Sequence, residues 1–540
     1  MTSHQPKSNS HSLPSLPLFL AAKDHAQRNP HKIAVIDTAK DEEYTYAQLL
    51  SDTATLKQTI LAQLQLPDLD ERRIAFLTPN GYDYAVAQWA VWAAGGVCVP
   101  LCTTHPVKEL LYTIGDSDPA LIILHPAFAH METPLREGTH TIPFMTLTPF
   151  VQATTHAIPP FGEGYLDRRA LMIYTSGTTS SPKGCVTTHR NITFQADCLV
   201  RAWQYSPADR LIHVLPLHHV HGIINGLTAS FLAGATVEMH PKFDPGVIWA
   251  RWQARDSSLF MAVPTIYARL VDYFESHIRG TEAETAAREG ARALRLVVSG
   301  SAALPTPIKS KFAEITGQTL LERYGMTEIG MALSCGLEVS RRVDGSVGWP
   351  LPGVQVRLTK EGRVVEGVDE DGQIEVKGDN VFREYWRRPE ATVKEFTADG
   401  WFQTGDVARR DGSGAYFIQG RASVDLIKSG GYKISALEVE RTMLGLDAVQ
   451  EVAVVGLDDE EWGQRVAALV KLRIGTTLDL GTLRAQLKTE LAPYKIPTVL
   501  KVVEAIDRNA MGKVNKKSII KKYWPITLTS ITSITSINLN

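Results

Sequence analysis

The chain has few cysteines and no long apolar run. Five cysteines occur in 540 residues, at positions 98, 102, 185, 198 and 335. Because they are few, odd in number and scattered, the sequence argues against a disulfide framework and favours a reducing compartment. The longest mostly apolar runs, Ala85 to Ala94 and Val97 to Leu101, are much shorter than the roughly 20 residues that span a bilayer. We therefore expect no transmembrane segment.

An excess of charge of one sign is also lacking. The chain has 56 Lys and Arg residues against 58 Asp and Glu, a formal net charge of -2. This balance gives no indication of a nucleic acid or a membrane surface as partner. The length is sufficient for two to four domains and a large buried core. Oligomeric state cannot be read from these features.

Acidic residues and arginine are missing from residues 1–22, which we predict to be a flexible N-terminal segment. A secretory signal is not expected, because Lys7 is followed by no proper apolar region. We expect a cytoplasmic protein, with the mitochondrial matrix as the alternative, since the lack of acidic residues suits a presequence but the lack of arginine does not. Residues 524–540 repeat Ile, Thr and Ser and are typical of a low-complexity tail.

The fold class predicted for the rest of the chain is α/β. From about Phe19 to Asp344, helical segments alternate with short Val, Ile and Leu runs, and residues 345–420 read as a small β-rich subdomain, so we predict one N-terminal domain over residues 23–420. Residues 421–523 predict a smaller α+β domain at the C-terminal end. The predicted strands are Arg73 to Leu77, Ala120 to Leu124, Leu171 to Tyr174, Leu211 to Leu215 and Leu294 to Ser299, and in the C-terminal domain Val452 to Val455 and Val466 to Leu472, with helices near Ala436 to Leu444 and Leu483 to Leu491.

The run YTSGTTSSPKG, from Tyr174 to Gly184, has the composition of a loop that binds polyphosphate. Its small residues let backbone N–H groups approach phosphate oxygens, and Lys183 supplies a mobile positive charge. The Walker A pattern fails here, because Gly184 rather than Ser or Thr follows the lysine. A surface loop without a ligand remains the alternative. The remaining phosphate-binding candidates in the run are Thr175, Ser176, Gly177, Thr178 and Thr179.

Six further runs contain residue types that suit nucleotide chemistry. An aromatic ring can stack on adenine, a carboxylate can accept from two ribose hydroxyls, and a glutamate can help to hold Mg²⁺. In the run PLHHVHG, three histidines raise the possibility of a metal site, but no nearby carboxylate or cysteine completes a ligand set. The runs are YGMTE after Glu322 and Arg323, TGD with Arg421 downstream, SGSAA, PLHHVHG, KSGGYK and RNAMGKVNK.

In their order and approximate spacing these runs resemble the adenylate-forming superfamily of acyl-CoA synthetases, luciferases and peptide-synthetase adenylation domains. The resemblance extends from about residue 20 to residue 520. It implies ATP, Mg²⁺ and coenzyme A as cofactor and co-substrates, and His219, Lys183, Glu328 and Lys513 as catalytic residues, with Glu328 holding the metal. The implied ATP- and AMP-binding residues are Thr175, Ser176, Gly177, Thr178, Thr179, Lys183, Gly300, Ser301, Ala302, Glu322, Arg323, Tyr324, Gly325, Met326, Thr327, Asp406, Arg421 and Lys513.

The same resemblance implies a two-step ligase with a mobile C-terminal lid domain. A carboxylate and ATP give acyl-AMP and pyrophosphate, and a thiol then displaces AMP, with a domain rotation between the steps. The pantetheine channel is expected at Ser429, Gly430 and Gly431. Asp425 is the expected hinge, although the chain is one residue longer here than the usual pattern and lacks the expected lysine before the aspartate.

Within the superfamily the chain resembles the malonyl-CoA synthetases, which act on malonate or methylmalonate. The second carboxylate of a short dicarboxylic acid needs a cationic partner, and arginine offers it a fork of donors. We expect Arg323 and Ser301 to bind that carboxylate, with Arg269 and the gating His219 beside the acyl group. The alternatives are a structural ion pair for Arg323 and a helix-surface position for Arg269.

Other functions share some of these motifs. An acyl-CoA synthetase for another carboxylic acid is one, and an adenylation enzyme that loads a carrier-protein thiol is another. The absence of a carrier module after the lid favours free coenzyme A. A luciferase-like oxygenase requires a bulky apolar pocket that two arginines oppose. A non-catalytic binding protein is disfavoured by the presence of Lys183, Glu328, Asp406 and Lys513 together.

Overall fold

The computed structural model describes residues 12–152, 156–175, 182–421, 424–430, 432–508 and 514–525. The chain divides into two compact units. The first unit contains Met1–Leu304, Ile308–Thr404 and Arg410–Phe417, and the second contains Pro305–Pro307, Gly405–Arg409 and Ile418–Asn540. The sheets and helices of the described residues confirm the predicted α/β class.

Two large sheets organise the first unit. In the first, seven strands are found among the described residues, and its central strands are parallel, with apolar runs such as Leu121–Leu124 buried on both faces. Its edge toward the phosphate loop is antiparallel. The strand order is Glu384–Tyr385, Lys183–Thr188, Arg169–Thr175, Val97–Pro100, Arg73–Leu77, Leu121–Leu124 and Phe144–Thr146.

The second large sheet has nine strands among the described residues, and six consecutive strands in it are parallel to their neighbours. The carboxyl ends of parallel strands meet at one edge, so the segments that follow His213, Ser299 and Met326 emerge on the same side. The order is Trp349–Pro350, Gly330–Ser334, Leu321–Met326, Leu296–Ser299, Leu259–Ala262, Arg210–His213, Thr236–Met239, Ile33–Asp37 and Glu42–Thr45.

Three smaller sheets are found among the described residues in addition to the two large ones. Leu13–Pro14 pairs with Phe161–Gly162. A five-stranded sheet of described residues has the order Arg363–Val364, Gln355–Lys360, Gly372–Lys377, Phe402–Arg410 and Tyr416–Arg421. In the second unit the order is Tyr432–Ser435, Leu426–Ser429, Gly463–Leu472 and Val449–Asp459, with Val499–Val502 also pairing with Gly463–Leu472.

Helices cover the sheets, and none of those described is long and apolar enough to cross a membrane. Two of them contain π-helical turns, His221–Thr228 and Phe274–Ile278, and Pro126–Met131, Val339–Arg341 and Pro493–Lys495 are 3₁₀ turns. The α-helices are Pro17–Arg28, Tyr46–Leu64, Tyr82–Ala93, Val107–Ser117, Glu132–Thr139, His189–Trp203, Ala229–Ala233, Pro245–Trp252, Pro264–Tyr273, Glu284–Arg292, Thr306–Thr316, Pro389–Lys394, Ala436–Met443, Leu480–Leu487 and Lys516–Tyr523.

The structure differs from the prediction of a flexible segment through residue 22. Helix Pro17–Arg28 begins inside that segment, with proline at its first position, and buries Leu18, Phe19 and Ala22. The Phe19 ring lies 4.9 Å from that of Trp89. The apolar residues of this segment have helical spacing, and their burial offsets the entropy of ordering it.

A tryptophan-rich cluster forms a core of the first unit. The rings of Trp249 and Trp252 meet edge to face, with centroids 5.0 Å apart at 82°, and Trp252 meets Phe260 at 5.1 Å and 89°. These geometries add to the free energy of area burial. Tyr267 and Phe312 belong to the same cluster, which joins four α-helices to the nine-stranded sheet.

We expect Trp252→Ala to lower the free energy of unfolding by about 3–5 kcal/mol, because it leaves a large cavity in this cluster. Denaturant titration followed by circular dichroism measures the change. The matched control is Trp462→Ala, which removes a tryptophan whose surface is 51% exposed and should change stability much less. Equal losses in the two variants would contradict the assignment of this cluster as a stabilising core.

Candidate active site

Arg323 is a buried cation on strand Leu321–Met326, and only 4% of its surface is exposed. Its Nη2 donates to the Ser301 hydroxyl at 3.1 Å, whereas its Nε has no hydrogen-bond partner among the described residues. In the described part of the chain no carboxylate forms an ion pair with it. Burial lowers the pKa of Arg323 to about 9. The structural ion pair considered as the alternative for Arg323 is therefore not present among these residues.

The turn after strand Leu296–Ser299 is shaped around this guanidinium. A Cβ at Gly300 would lie 2.4 Å from Arg323 Nε, so only glycine leaves room for the side chain. Ser301 follows with a φ of 69°. A non-glycine residue in this left-handed region costs about 1–3 kcal/mol and is found where the surroundings hold it in place. The strained turn brings the Ser301 hydroxyl to Arg323.

His221 is the third member of this group. Its Nδ1 lies 3.4 Å from the Ser301 hydroxyl oxygen, and its Nε2 has no hydrogen-bond partner among the described residues. Burial, together with the charge of Arg323, lowers the pKa of His221 well below its ordinary value, so the imidazole is neutral. His221 begins the π-helical turn His221–Thr228, a kind of irregularity that is frequent at functional sites.

A second polar group is centred on Tyr385. The Tyr385 hydroxyl donates to Glu328 Oε1 at 2.8 Å, and Lys183 Nζ lies 4.2 Å from the centroid of its ring. Lys183 Nζ is also 3.9 Å from Glu395 Oε1. Burial and the Glu328 carboxylate raise the pKa of Tyr385, so the hydroxyl remains a donor. Tyr385 thus joins the two residues that the sequence assigned to phosphate and to metal.

Strand pairing brings these side chains together. Lys183 lies opposite Thr175, and Cys185 lies opposite Tyr385, in the antiparallel edge of the seven-stranded sheet. The backbone N–H of Phe382 donates to the Glu328 carbonyl oxygen at 2.7 Å. The loop that follows strand Leu321–Met326 is therefore fixed to a segment about sixty residues downstream.

Glu322 lies in a different environment from its neighbour Arg323. Its Oε1 is 3.1 Å from Lys309 Nζ, which also lies 2.8 Å from Asp344 Oδ1. Burial alone would lower the pKa of Lys309, but the two carboxylates raise it, so the lysine stays charged. Glu322 belongs to a buried structural ion pair, and its predicted contact with ATP stays a prediction.

The other predicted residues of the first unit differ in exposure. Tyr324, Met326 and Thr327 are half-buried and Ala302 is exposed. A Cβ at Gly325 would lie 2.1 Å from the Gly330 carbonyl oxygen, at an irregularity in the strand pairing. These positions agree with a turn between strands Leu321–Met326 and Gly330–Ser334.

His219 and Arg269 differ in their burial. His219 is half-buried, and its ring centroid is 4.0 Å from that of His218. Arg269 is exposed on helix Pro264–Tyr273, with its guanidinium 4.8 Å from the centroid of Phe243. The part of the chain that the structure describes contains no group of three or more His, Cys, Asp or Glu side chains suited to a metal ion.

In the second unit, Arg421 Nε lies 3.0 Å from Asp406 Oδ1. Asp406 is buried in the middle of strand Phe402–Arg410, and Arg421 is the last residue of the neighbouring strand Tyr416–Arg421. Ser429 ends strand Leu426–Ser429, and Gly430, which follows it, has a φ of 55°. The Gly430 N–H donates to the Trp462 carbonyl oxygen at 2.9 Å.

Some predicted site residues lie outside the described residues. They are Ser176, Gly177, Thr178, Thr179, Gly431 and Lys513.

Sequence reasoning missed Tyr385 and did not choose His221. Tyr385 stands in no motif, and only strand pairing brings it to Glu328. His221 stands in the same run as His219. The glycine that follows it, Gly222, was the one feature of the sequence that could have indicated its buried position. A Cβ at Gly222 would lie 2.3 Å from the Pro216 carbonyl oxygen, so the chain turns sharply here and carries His221 inward.

The donor set at Glu328 fits magnesium. Mg²⁺ is usually held by one or two carboxylates together with substrate phosphates and water. Glu328 is 5% exposed, and the Tyr385 hydroxyl fixes one of its oxygens. When bound, the ion offsets the negative charge of the polyphosphate.

Comparison with known proteins places these features in a family. The sequence profile described as AMP-binding enzyme matches residues 22–386, and the profile described as AMP-binding enzyme C-terminal domain matches residues 438–513. The mitochondrial malonate–CoA ligase ACSF3 of Mus musculus is 44% identical over 540 residues, covering 95% of this chain and 91% of that protein.

Solved structures agree with this match. ATP-bound MatB from Rhodopseudomonas palustris has a TM-score of 0.83 at 32% identity, over 94% of this chain and 99% of that one. A malonyl-CoA ligase in a ternary product complex with methylmalonyl-CoA and AMP has a TM-score of 0.64 at 32% identity, over 93% and 100%. The chain therefore belongs to the family of AMP-binding enzymes, the adenylate-forming superfamily, and is an ATP-dependent acid–CoA ligase.

Proposed function

We propose that this protein is a malonate–CoA ligase that also accepts methylmalonate. The observation that carries the proposal is the buried Arg323 guanidinium, which has no carboxylate partner among the described residues. A cation buried in this way costs free energy that a bound anion would offset. The names of the relatives, malonate–CoA ligase and malonyl-CoA ligase, support the same substrate.

The distal carboxylate of malonate accepts from the free donors of Arg323 and from the group around it. Ser301 supplies a hydroxyl next to the guanidinium, and neutral His221 supplies a further ring N–H. This arrangement leaves the other carboxylate to react. His219 and Arg269 keep their predicted places beside the acyl group as secondary proposals.

The reaction has two steps. A carboxylate oxygen of malonate attacks the α-phosphorus of ATP, and the bond to pyrophosphate breaks, which gives malonyl-AMP. The thiol of coenzyme A then attacks the acyl carbon and loses its proton, the acyl–oxygen bond breaks, and AMP leaves. Both steps develop charge that fixed donors can stabilise.

The roles of the nucleotide-binding residues follow from the family resemblance and from the contacts described above. Lys183 and Thr175, with the residues of the phosphate loop, bind the β- and γ-phosphates, and Thr327 binds the α-phosphate. Tyr324 stacks on adenine and Asp406 with Arg421 binds the ribose. Lys513 acts in the first step, and Ser429, Gly430 and Gly431 form the channel of the second.

The proposed location is the mitochondrial matrix, the alternative in our sequence-based expectation. The support is that the similar malonate–CoA ligase of Mus musculus is named as a mitochondrial protein. Fractionation of cells that express the tagged full chain measures the location, and recovery in the cytosolic fraction alone would contradict the proposal.

Substrate choice tests the function directly. CoA-ligase activity is measured with malonate, methylmalonate, acetate, octanoate and 4-coumarate, and malonate should give the highest kcat/KM. Arg323→Ala should lower kcat/KM for malonate by at least about 30-fold, because loss of one partner of a buried charge pair costs about 2–5 kcal/mol. Arg323→Lys should recover part of this, since lysine keeps the charge but not the fork.

The control for this series is Arg279→Ala, which removes an arginine from an ion pair with Glu275 at the protein surface. It should leave kcat/KM unchanged. Arg269→Ala tests the second predicted arginine separately. A preference for a monocarboxylate, or full malonate activity in Arg323→Ala, would overturn the proposal.

Tyr385→Phe tests the link between Glu328 and Lys183. The variant keeps the ring beside Lys183 and removes only the hydroxyl that holds the carboxylate, a hydrogen bond to a charged group worth about 1.5–3 kcal/mol. In malonate-dependent ATP–pyrophosphate exchange we expect the Mg²⁺ concentration for half-maximal rate to rise by about tenfold. The KM for malonate should change little.

The matched control is Tyr416→Phe, whose hydroxyl donates to the Val356 carbonyl oxygen at 3.4 Å in another sheet. It should leave the Mg²⁺ dependence unchanged. An unaltered Mg²⁺ dependence in Tyr385→Phe would show that the hydroxyl does not order the metal ligand.

A further inference from the structure

Asp116 is a carboxylate of the first unit that the chemistry described so far does not use. It lies one residue before the end of helix Val107–Ser117, and its side chain is 16% exposed. Its Oδ2 accepts from the Tyr174 hydroxyl at 2.7 Å, and its two oxygens accept from the Arg388 guanidinium at 2.5 and 3.2 Å. Arg388 thus binds the carboxylate with two donors, a strong geometry for this pair.

The helix itself gains nothing from an acid at this position. Its backbone dipoles place a partial negative charge at the carboxyl end, where cations are favourable and carboxylates are not. The contacts of Asp116 with other segments therefore account for its place better than helix stability does.

Both partners of this carboxylate lie beside strand Lys183–Thr188, one on each side. That strand pairs with Arg169–Thr175 and with Glu384–Tyr385 in the antiparallel edge of the seven-stranded sheet. Tyr174 belongs to the first of these neighbours, and Arg388 follows the second in the chain. One carboxylate therefore ties together the two segments that flank the strand.

Tyr174 packs beside the residue that follows Lys183. It lies opposite Gly184 in the sheet register, and a Cβ at Gly184 would lie 3.2 Å from its Cζ atom. The Tyr112 ring meets it edge to face, with centroids 6.4 Å apart at 85°. Burial and the hydrogen bond to Asp116 raise the pKa of Tyr174, so its hydroxyl stays a donor to the carboxylate.

Arg388 closes the turn that follows Tyr385. Its Nη1 donates to the Trp386 carbonyl oxygen at 3.0 Å, and its own carbonyl oxygen accepts from the Thr392 hydroxyl at 2.9 Å. That hydroxyl oxygen accepts in turn from the Tyr385 N–H at 3.0 Å. The Trp386 N–H donates to the Gly184 carbonyl oxygen at 2.8 Å. The turn closed by Arg388 therefore holds the backbone of Tyr385 against the neighbouring strand.

The Lys183 side chain lies against the ring that this turn holds. Its Nζ is 4.2 Å from the centroid of the Tyr385 ring, and 22% of its side chain is exposed. A long lysine side chain loses conformational entropy when a ligand fixes it in one position. A strand and a ring that are already in place reduce the part of that entropy that remains to be lost on binding.

We propose that Asp116 is a positioning residue that, through Tyr174 and Arg388, orders Lys183 for the terminal phosphates of ATP. This inference rests on the proposed function, in which Lys183 binds the β- and γ-phosphates. Because Asp116 acts through Lys183, its loss should weaken the binding of a nucleotide that carries these phosphates. Binding of AMP, which lacks both, should not depend on it.

Nucleotide binding to the full chain without malonate tests this inference. Isothermal titration calorimetry in the presence of Mg²⁺ gives the Kd of ATP and the Kd of AMP. Asp116→Asn keeps the size of the side chain and removes its charge. We expect the Kd of ATP to rise about tenfold, because a charge-assisted hydrogen bond from Lys183 to phosphate is weakened. The Kd of AMP should stay unchanged.

A double variant shows whether the effect passes through the lysine. Lys183→Met alone should also raise the Kd of ATP and leave that of AMP unchanged. In this background Asp116→Asn should cause no further rise, since residues that act through one another are not additive. Additive effects of the two substitutions, or no effect of Lys183→Met on the Kd of ATP, would contradict the inference.

The matched control is Asp118→Asn, which removes a carboxylate two residues further along the chain. The Asp118 side chain is 54% exposed and pairs with Arg73 and Arg387. Because exposed ion pairs contribute little free energy, both Kd values should equal those of the unmodified protein.

An equal loss of affinity for ATP and AMP in Asp116→Asn, or an unchanged Kd of ATP, would overturn the inference. If this variant does not fold, Arg388→Lys decides, because it keeps the charge and removes the two-donor contact. A selective rise in the Kd of ATP in Arg388→Lys supports the positioning role, and an unselective or absent effect overturns it. Absence of malonate-dependent ATP–pyrophosphate exchange in the unmodified protein would instead overturn the proposed function.

Discussion

The candidate site depends on one constraint, a guanidinium that is buried without a carboxylate among the described residues. Arg323 lies on a central strand, where water cannot solvate it, and its side chain fills the space that a Cβ at position 300 would need. Gly300 is thereby required, and Ser301 is forced into a left-handed conformation that brings its hydroxyl to the guanidinium. The strain and the desolvation are both unfavourable for folding. A bound anion would offset the cost of desolvating the guanidinium.

The polar groups of the first unit are brought together by sheet pairing between distant segments. Tyr385 contacts both Glu328 and Lys183 because its short strand adds to the edge of the seven-stranded sheet beside the phosphate loop. The Tyr385 hydroxyl contacts the Glu328 carboxylate and the face of its ring contacts the Lys183 ammonium group. One aromatic side chain therefore holds both charged groups. A satisfied hydrogen-bond network of this kind makes the positions of Glu328 and Lys183 more rigid.

Sequence patterns predicted the repetitive parts of the fold better than the contacts of the site. The strand Arg73–Leu77 has the predicted bounds, because its apolar run is continuous and buried. The predicted strand through Leu215 ends at His213, since Val214 and Leu215 are buried in the loop without pairing. Motifs pointed to Arg323 and Ser301. They could not point to Tyr385, whose role depends on a partner 57 residues away in the chain.

In the proposed function, Arg323 selects the substrate through the free energy lost when its charge stays unpaired, rather than through the shape of the pocket. In that proposal a dicarboxylate supplies the negative charge that compensates the buried Arg323, while a monocarboxylate of similar length leaves the cation desolvated and unpaired. Discrimination of this kind exceeds what one methylene achieves in an apolar pocket, where about 1–3 kcal/mol is available. The same proposal predicts poor discrimination between malonate and methylmalonate, since both carry the carboxylate that would pair with the guanidinium and they differ by a single methyl group. If the proposal holds, selection by an unpaired charge admits a class of short diacids and rejects simple fatty acids, with no need for a tightly shaped acyl pocket.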